Sequence, residues 1–243
     1  MKRKFRVLAA LVLALLLCVG AACAETTTRC DFDALEMNGE WTEGRMRPYE
    51  YHYYPFTVAQ TGRVTARVQS FYSGAEFELL DEDLVSWRAV WVNGTAGAPE
   101  TEDMVYYLEP GQYYLRVDGA SDSDGDYRVK VALEPCVCDE IEGNDDYHGA
   151  QQLPSGETLA GVLTEWDEYD YYTFTLDAET QVHLTANDES DGQCVLTLYD
   201  GDMVEQATIY DLHGYAEDRT LSAGTYYLAI SNAKGAYTLK AIY

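Results

Sequence analysis

The sequence predicts an all-β protein made of two tandem antiparallel β-sandwich domains. Three observations lead there. First, Tyr51-His-Tyr-Tyr-Pro-Phe-Thr-Val58 aligns without a gap on Tyr169-Asp-Tyr-Tyr-Thr-Phe-Thr-Leu176. Leu108-Glu-Pro-Gly-Gln-Tyr-Tyr-Leu-Arg-Val117 aligns in the same way on Leu221-Ser-Ala-Gly-Thr-Tyr-Tyr-Leu-Ala-Ile230, so the chain contains a duplication. Second, the repeated segments alternate. Tyr172, Phe174 and Leu176 share one parity and Thr173 and Thr175 the other, the pattern of a half-buried strand. Third, Gly, Asp, Asn and Ser punctuate the chain at intervals of about 8–12 residues, and no window longer than about ten residues shows a helical period.

The first 24 residues read as a secretory signal. Lys2, Arg3, Lys4 and Arg6 form a basic start, and residues 7–19 are an apolar run too short to span a bilayer. Ala22-Cys-Ala24 supplies the small residues of a cleavage site before Glu25. A lipoprotein anchor at Cys23 is the minor alternative, since Gly20 stands where Leu is usual. The expected destination is secreted or at the cell surface, without membrane insertion.

The chain carries 42 acidic and 16 basic residues. Removing the signal takes four of the basic ones, 42 against 12, and moves the net charge from -26 to -30. Such a field repels polyanions, which excludes nucleic acid and anionic membrane as partners. Solubility accounts for this charge at least cost; the sharper reading, cation binding, requires clustered acids. Four cysteines follow the signal: Cys30, Cys136, Cys138 and Cys194. Outside the cell they are expected to form disulfides, with three connectivities open. A bridge from Cys30 to Cys136 or Cys138 would clamp the ends of the first domain. A zinc half-site at Cys136-Val-Cys138 is the alternative, and it lacks a second pair at finger spacing.

In order, residues 25–35 read as a polar lead-in and 36–134 as the first, divergent sandwich. Its strands are expected at 53–58, 63–69, 77–80, 87–92, 105–108, 112–117 and 127–133. An acidic joint, 135–142, leads to the second sandwich, 143–243. Its strands are expected at 171–176, 181–186, 194–199, 207–211, 218–221, 225–231 and 237–242. Each copy has about 100 residues, enough for one small core.

With the copies laid out this way, the second resembles the bacterial pre-peptidase C-terminal domain. The resemblance rests on Glu142-x-Asn144-Asp145, Asp170-Tyr-Tyr-x-Phe174, Leu198-Tyr-Asp200, Leu221-x-x-Gly224-x-Tyr-Tyr-Leu228 and Gly235-x-Tyr-x-Leu239. It covers residues 139–243. The first copy matches more weakly, through His52-Tyr-Tyr-x-Phe56, Leu79-Leu-Asp81 and Gly111-x-Tyr-Tyr-Leu115. The resemblance implies a jelly-roll-like sandwich without catalytic activity. It also implies a calcium site, because the similar collagen-binding domains of clostridial collagenases hold calcium near their N-terminal linker. The matching residues here are Glu140, Glu142, Asn144, Asp145, Asp167 and Asp170. Gly143 stands where Pro is usual, which is expected to loosen the linker.

Calcium takes six to eight oxygen ligands, and these six side chains can supply that many if the linker folds back over the sandwich end. Asp170 shares parity with Tyr172 and Phe174, and an inward carboxylate needs a partner. In the first copy Asp170 becomes His52, Asp167 becomes Tyr49, and the linker acids become Glu36-Met-Asn38-Gly39. At most one such site is therefore expected. The alternative is that these acids cap turns and solvate the linker. The run from Asp118 to Asp126 fails calcium-loop spacing and reads as a hairpin turn.

Trp87 and Trp91 lie four apart on one strand and hence on one face, a candidate platform for stacking on sugar rings. Packing against the core or between domains is the competing reading. Trp166 adjoins the acidic loop. No catalytic motif is present, neither G-x-S-x-G, H-E-x-x-H nor a phosphate-binding loop, and the four His have no diagnostic spacing. The expectation is a non-catalytic binding or adhesion protein for an extracellular polymer, protein or polysaccharide, with calcium at the inter-domain joint. The rival is a structural or folding accessory to a separate secreted enzyme.

Overall fold

Nine strands recur in each half of the chain, and along most of them side chains alternate inward and outward. The computed structural model describes residues 27–119, 124–165, 167–190, 193–232 and 234–243, without the side chain of Trp87. The signal segment, Cys23 and Trp166 lie outside the described residues.

The first half forms β1 (Thr28–Asp31), β2 (Thr42–Met46), β3 (Glu50–Val58), β4 (Gly62–Ser70), β5 (Ala75–Leu80), β6 (Ser86–Val92), β7 (Glu100–Leu108), β8 (Gly111–Gly119) and β9 (Gly125–Pro135). The second forms β10 (Gln151–Gln152), β11 (Thr158–Leu163), β12 (Tyr169–Leu176), β13 (Thr180–Asp188), β14 (Val195–Asp200), β15 (Glu205–Ile209), β16 (Tyr215–Leu221), β17 (Gly224–Ser231) and β18 (Gly235–Ile242). The first half has sheets ordered β1-β3-β8-β5-β6 and β2-β9-β4-β7; the second has β10-β12-β17-β14-β15 and β11-β18-β13-β16. Adding nine to each label converts one topology into the other, which is the duplication seen in three dimensions. Pairing is antiparallel except at β1 with β3 and β10 with β12.

Inward positions build two hydrophobic clusters with no shared member. On β4, Val64, Ala66 and Val68 face inward and are fully buried, while Arg67 faces out and pairs with Asp103. Phe56 stacks on Tyr113 with ring centroids 5.8 Å apart, and Phe174 on Tyr226 at 5.5 Å. Each such tyrosine donates its hydroxyl to a carbonyl four residues back, Glu109 or Ser222, at 3.1 Å. Burying one of these aromatic side chains contributes about 1.5–3 kcal/mol.

A second matched device lies deeper. Tyr127 donates or accepts at Tyr54 Oη over 2.7 Å, and Tyr237 at Tyr172 Oη over 2.6 Å. Both inner rings lie against a glycine: a Cβ at Gly44 or Gly161 would stand 2.3 Å from the ring carbon of Tyr127 or Tyr237. Glycine is required at both positions for this close approach.

All fourteen expected strands are present, with ends that differ by a few residues. Four more were not expected: β1, β2, β10 and β11. The stretch read as a polar lead-in therefore contributes β1, which pairs along the edge of β3. The disulfide expectation is corrected. Among the described residues none of Cys30, Cys136, Cys138 and Cys194 is in a disulfide. Cys194 is sealed in the second core, and Cys30 sits on β1 opposite His52. Of the run 118–126, residues 120–123 lie outside the described residues; Asp124 and Asp126 pair with Arg45 at 2.7 and 2.9 Å.

Candidate cation site at the joint

The joint is laid along the second sandwich by hydrogen bonds. Asp139 N–H donates to the Ala160 carbonyl at 2.7 Å, and Ala160 N–H returns to the Asp139 carboxylate at 3.2 Å. Val162 N–H donates to Glu140 Oε2 at 3.0 Å, and Ile141 N–H to Gln151 Oε1 at 2.8 Å. Gly143 then adopts φ +99°, a conformation closed to proline. Glycine at this position lets the chain turn sharply here. Gly149 lets the Gly143 carbonyl approach, since a Cβ there would lie 2.0 Å from that oxygen. The turn drives Asn144 fully inside, where its carbonyl accepts Tyr171 N–H at 2.8 Å.

Two nodes of oxygen ligands result. The inner one holds Asp170, 1% exposed, which accepts the Tyr237 hydroxyl at 2.7 Å. Glu140 lies against it, with Asn144 Nδ2 donating to Glu140 Oε1 at 2.9 Å. Burial and the neighbouring Glu140 carboxylate push the Asp170 carboxyl far above the usual range. The amide oxygen of Asn144 is buried and has no hydrogen-bond partner among the described residues. An orphaned acceptor inside a nest of carboxylates is costly unless a cation fills it.

The outer node brings Glu109, Glu142 and Asp167 together, with one oxygen of each within 4.8 Å of the others. Asp167 is buried and held in place by the Thr164 N–H at 2.8 Å and by the Thr164 hydroxyl. Glu142 keeps an exposed flank. Its carboxyl is nonetheless pushed up to about 8, by burial first and then by Glu109, Glu140, Asp167 and Asp145. Glu109 is raised by burial and by Asp167. Asp145 is exposed and adds to this crowding. Lys234 donates to the Asp167 carbonyl, one ammonium beside a group of carboxylates. The donor set is all oxygen, several of them anionic, and suits calcium better than a thiophilic metal. Within it, Glu142 and Asp167 would lie in the outer node and Glu140, Asn144 and Asp170 in the inner.

Glu109 is the member the sequence did not offer. It belongs to the first sandwich, in the turn between β7 and β8, and Thr164 Oγ1 donates to it at 3.4 Å. Beside it Glu165 N–H donates to the Tyr107 carbonyl at 3.0 Å. The only sequence signal is that Leu108-Glu-Pro-Gly carries a glutamate where the second copy carries Ser222. In the first copy, Asn38 N–H donates to the Val131 carbonyl as Gly156 N–H does to Ala241, so Asn38 stands at the place of Gly156 and not, as the sequence alignment had it, at that of Asn144.

The tryptophan pair lies elsewhere, on β6 at the edge of the first five-stranded sheet. Trp91 is 56% exposed, opposite Glu76 on β5. The side chains of Trp87 and Trp166 are outside the described residues. Cys136 and Cys138 join no three-residue ligand group among the described residues. No described helix is long and apolar enough to cross a membrane.

No family model matches the chain. It is 29% identical over 147 residues to Collagenase ColA of Clostridium perfringens (strain 13 / Type A), covering 55% of this chain and 13% of that protein. Similar solved structures include the following two. One is the pre-peptidase C-terminal domain of collagenase from Bacillus anthracis, at 19% identity over 44% of this chain and 97% of that one, TM-score 0.33. The other is the tandem CBM22-1 and CBM22-2 domains of Paenibacillus barcinonensis Xyn10C, at 13% identity over 77% and 82%, TM-score 0.27. The resemblance to the pre-peptidase C-terminal domain holds in these comparisons.

Proposed function

We propose that the chain is an exported, non-catalytic binding protein for an extracellular polymer, a protein or a polysaccharide, and that calcium at the joint locks its two sandwiches together. The observation that carries this reading is the oxygen cluster. Glu109 of the first sandwich meets Glu142 and Asp167 of the second, beside the unpartnered amide oxygen of Asn144. An ion held by both sandwiches binds only their docked arrangement and stabilises it by linkage. Similarity to a small part of a collagenase supports a role alongside a polymer-degrading enzyme. The exposure of Trp91 supports a polymer-facing surface over burial between domains.

Calcium titration of the mature chain by calorimetry, paired with retention on insoluble collagen, chitin and cellulose in calcium or EDTA, tests the proposal. Saturable calcium binding that is lost in Asp167→Ala with Asp170→Ala is expected, together with retention on one polymer. No heat at millimolar calcium removes the joint site. Retention on none of these polymers turns the reading towards an accessory of a separate secreted enzyme.

A further inference from the structure

The first sandwich has its own ligand group at the position that Asp170 occupies in the second, and its chemistry differs. On the parallel pair of β1 and β3, Cys30 is the direct partner of His52. Glu50 precedes His52 by two residues and so points to the same face. The thiol, one imidazole nitrogen and one carboxylate oxygen all lie within 4.8 Å of one another. His52 Nε2 and Glu50 Oε2 are 3.0 Å apart. In a tetrahedral zinc site, bond lengths near 2.0–2.3 Å place ligand atoms about 3.3–3.6 Å from each other, so side-chain shifts of up to about an ångström complete the geometry.

The surroundings meet the other requirements of a metal-binding histidine. His52 is 2% exposed, and its Nδ1 is engaged by the Tyr127 hydroxyl at 2.5 Å. That contact fixes the ring and leaves Nε2 pointing at Glu50, the orienting arrangement that ligating histidines use. Tyr127 is itself held by Tyr54. Phe32 covers the open side, with its ring 4.8 Å from that of His52. A thiolate, a carboxylate and a neutral imidazole carry two negative charges, which a dication neutralises.

We propose that the first sandwich binds a zinc ion through Cys30 Sγ, Glu50 and His52 Nε2, with one position left for water or an external donor atom. Sulfur and nitrogen donors select a transition metal over calcium, while the oxygen set at the joint has the opposite preference. The duplication would thus hold two metals of different class at one fold position. This inference is independent of the calcium reading, because no residue is shared between the two groups.

The test uses the full mature chain, reduced, with Cys136→Ser and Cys138→Ser to remove competing thiols. Cobalt serves as the spectroscopic probe. A stoichiometric thiolate-to-cobalt charge-transfer band is expected, displaced by zinc and untouched by excess calcium. Cys30→Ser abolishes the band, and Glu50→Gln weakens cobalt affinity at least tenfold. Cys30 is only half-buried on an edge strand, so its replacement by serine leaves the core alone. X-ray absorption of the zinc-loaded parent gives a readout that needs no variant: one sulfur near 2.3 Å and nitrogen or oxygen neighbours near 2.0–2.1 Å. Absence of the band in the parent, its survival in Cys30→Ser, or a zinc shell without sulfur overturns the proposal.

Discussion

Carboxylate crowding at the joint makes the cation-free protein weaken as pH rises. In the fold Glu142 titrates at about 8, against an unperturbed 4.5. A carboxyl raised in this way lends its full stability below its unfolded value and loses it as pH climbs through the folded value. The window is therefore about pH 4.5–8. The gap of about 3.5 pH units sets a ceiling of roughly 5 kcal/mol. Glu142 keeps an exposed flank, and solvent screening reduces this to about 1–2 kcal/mol. For a domain of about 100 residues, each kcal/mol moves Tm by about 4–8 °C. Melting in EDTA should then show Tm falling by about 5–15 °C between pH 5 and pH 8.5. Calcium at a hundredfold over its Kd restores about 2.7 kcal/mol. Glu142→Gln removes both effects: the cation-free Tm at pH 8.5 rises, the pH slope flattens and the response to calcium shrinks. Calorimetric melts at three pH values, with calcium or EDTA, decide the matter. A cation-free Tm that climbs with pH, or a Glu142→Gln variant no more stable at pH 8.5, would refute the crowding argument.

The two cores allow independent checks. Gly161→Ala drives a Cβ to within 2.3 Å of the Tyr237 ring and should cost the second sandwich about 1–3 kcal/mol, and Gly44→Ala should do the same to the first; urea unfolding should show each variant moving only its own transition. Tyr237→Phe leaves Asp170 and the Tyr172 hydroxyl without their partner and should cost about 1–3 kcal/mol, read by the same assay. Trp91→Ala should leave the unfolding free energy within about 0.5 kcal/mol of the parent while reducing polymer retention, because its side chain is exposed; undiminished retention would remove it from the binding surface.

The strands that could be read from the sequence are those whose burial follows a strict period of two. β4 and β13 alternate throughout, so their residues announce them. β11 does not: Val162 and Leu163 are both buried, and Gly161 reads as a breaker although it serves the Tyr237 ring. β2 buries only Met46, and β1 is exposed or half-exposed along its whole length. An edge strand with no apolar face leaves no hydrophobic pattern, and its parallel partner lies some twenty residues away. The same limit hid Glu109, whose place in the cluster depends on how one sandwich docks on the other. Parity put Trp87 and Trp91 on one face, but exposure depends on what lies beyond the sheet.

What both copies retain is the paired tyrosine hydroxyls and the glycine beside them. What they changed is the side chain facing that pair, His52 or Asp170, and the segment leading into it. Ligand class is thus set at the sheet edge while the packing beneath stays constant. If the facing residue alone decided the matter, His52→Asp would create a second calcium site in the first sandwich. The structure argues against this. Asn38 stands at the place of Gly156 and so brings no amide oxygen to that end, where the ligand group among the described residues is Cys30, Glu50 and His52. A lone carboxylate beside Glu50 adds repulsion without completing a shell of six oxygens. Calcium stoichiometry should therefore stay at the parent value in His52→Asp, while the cobalt band weakens through loss of its nitrogen ligand. A second calcium equivalent in that variant would show that Asp170 suffices, and that the linker acids and Asn144 are dispensable for binding.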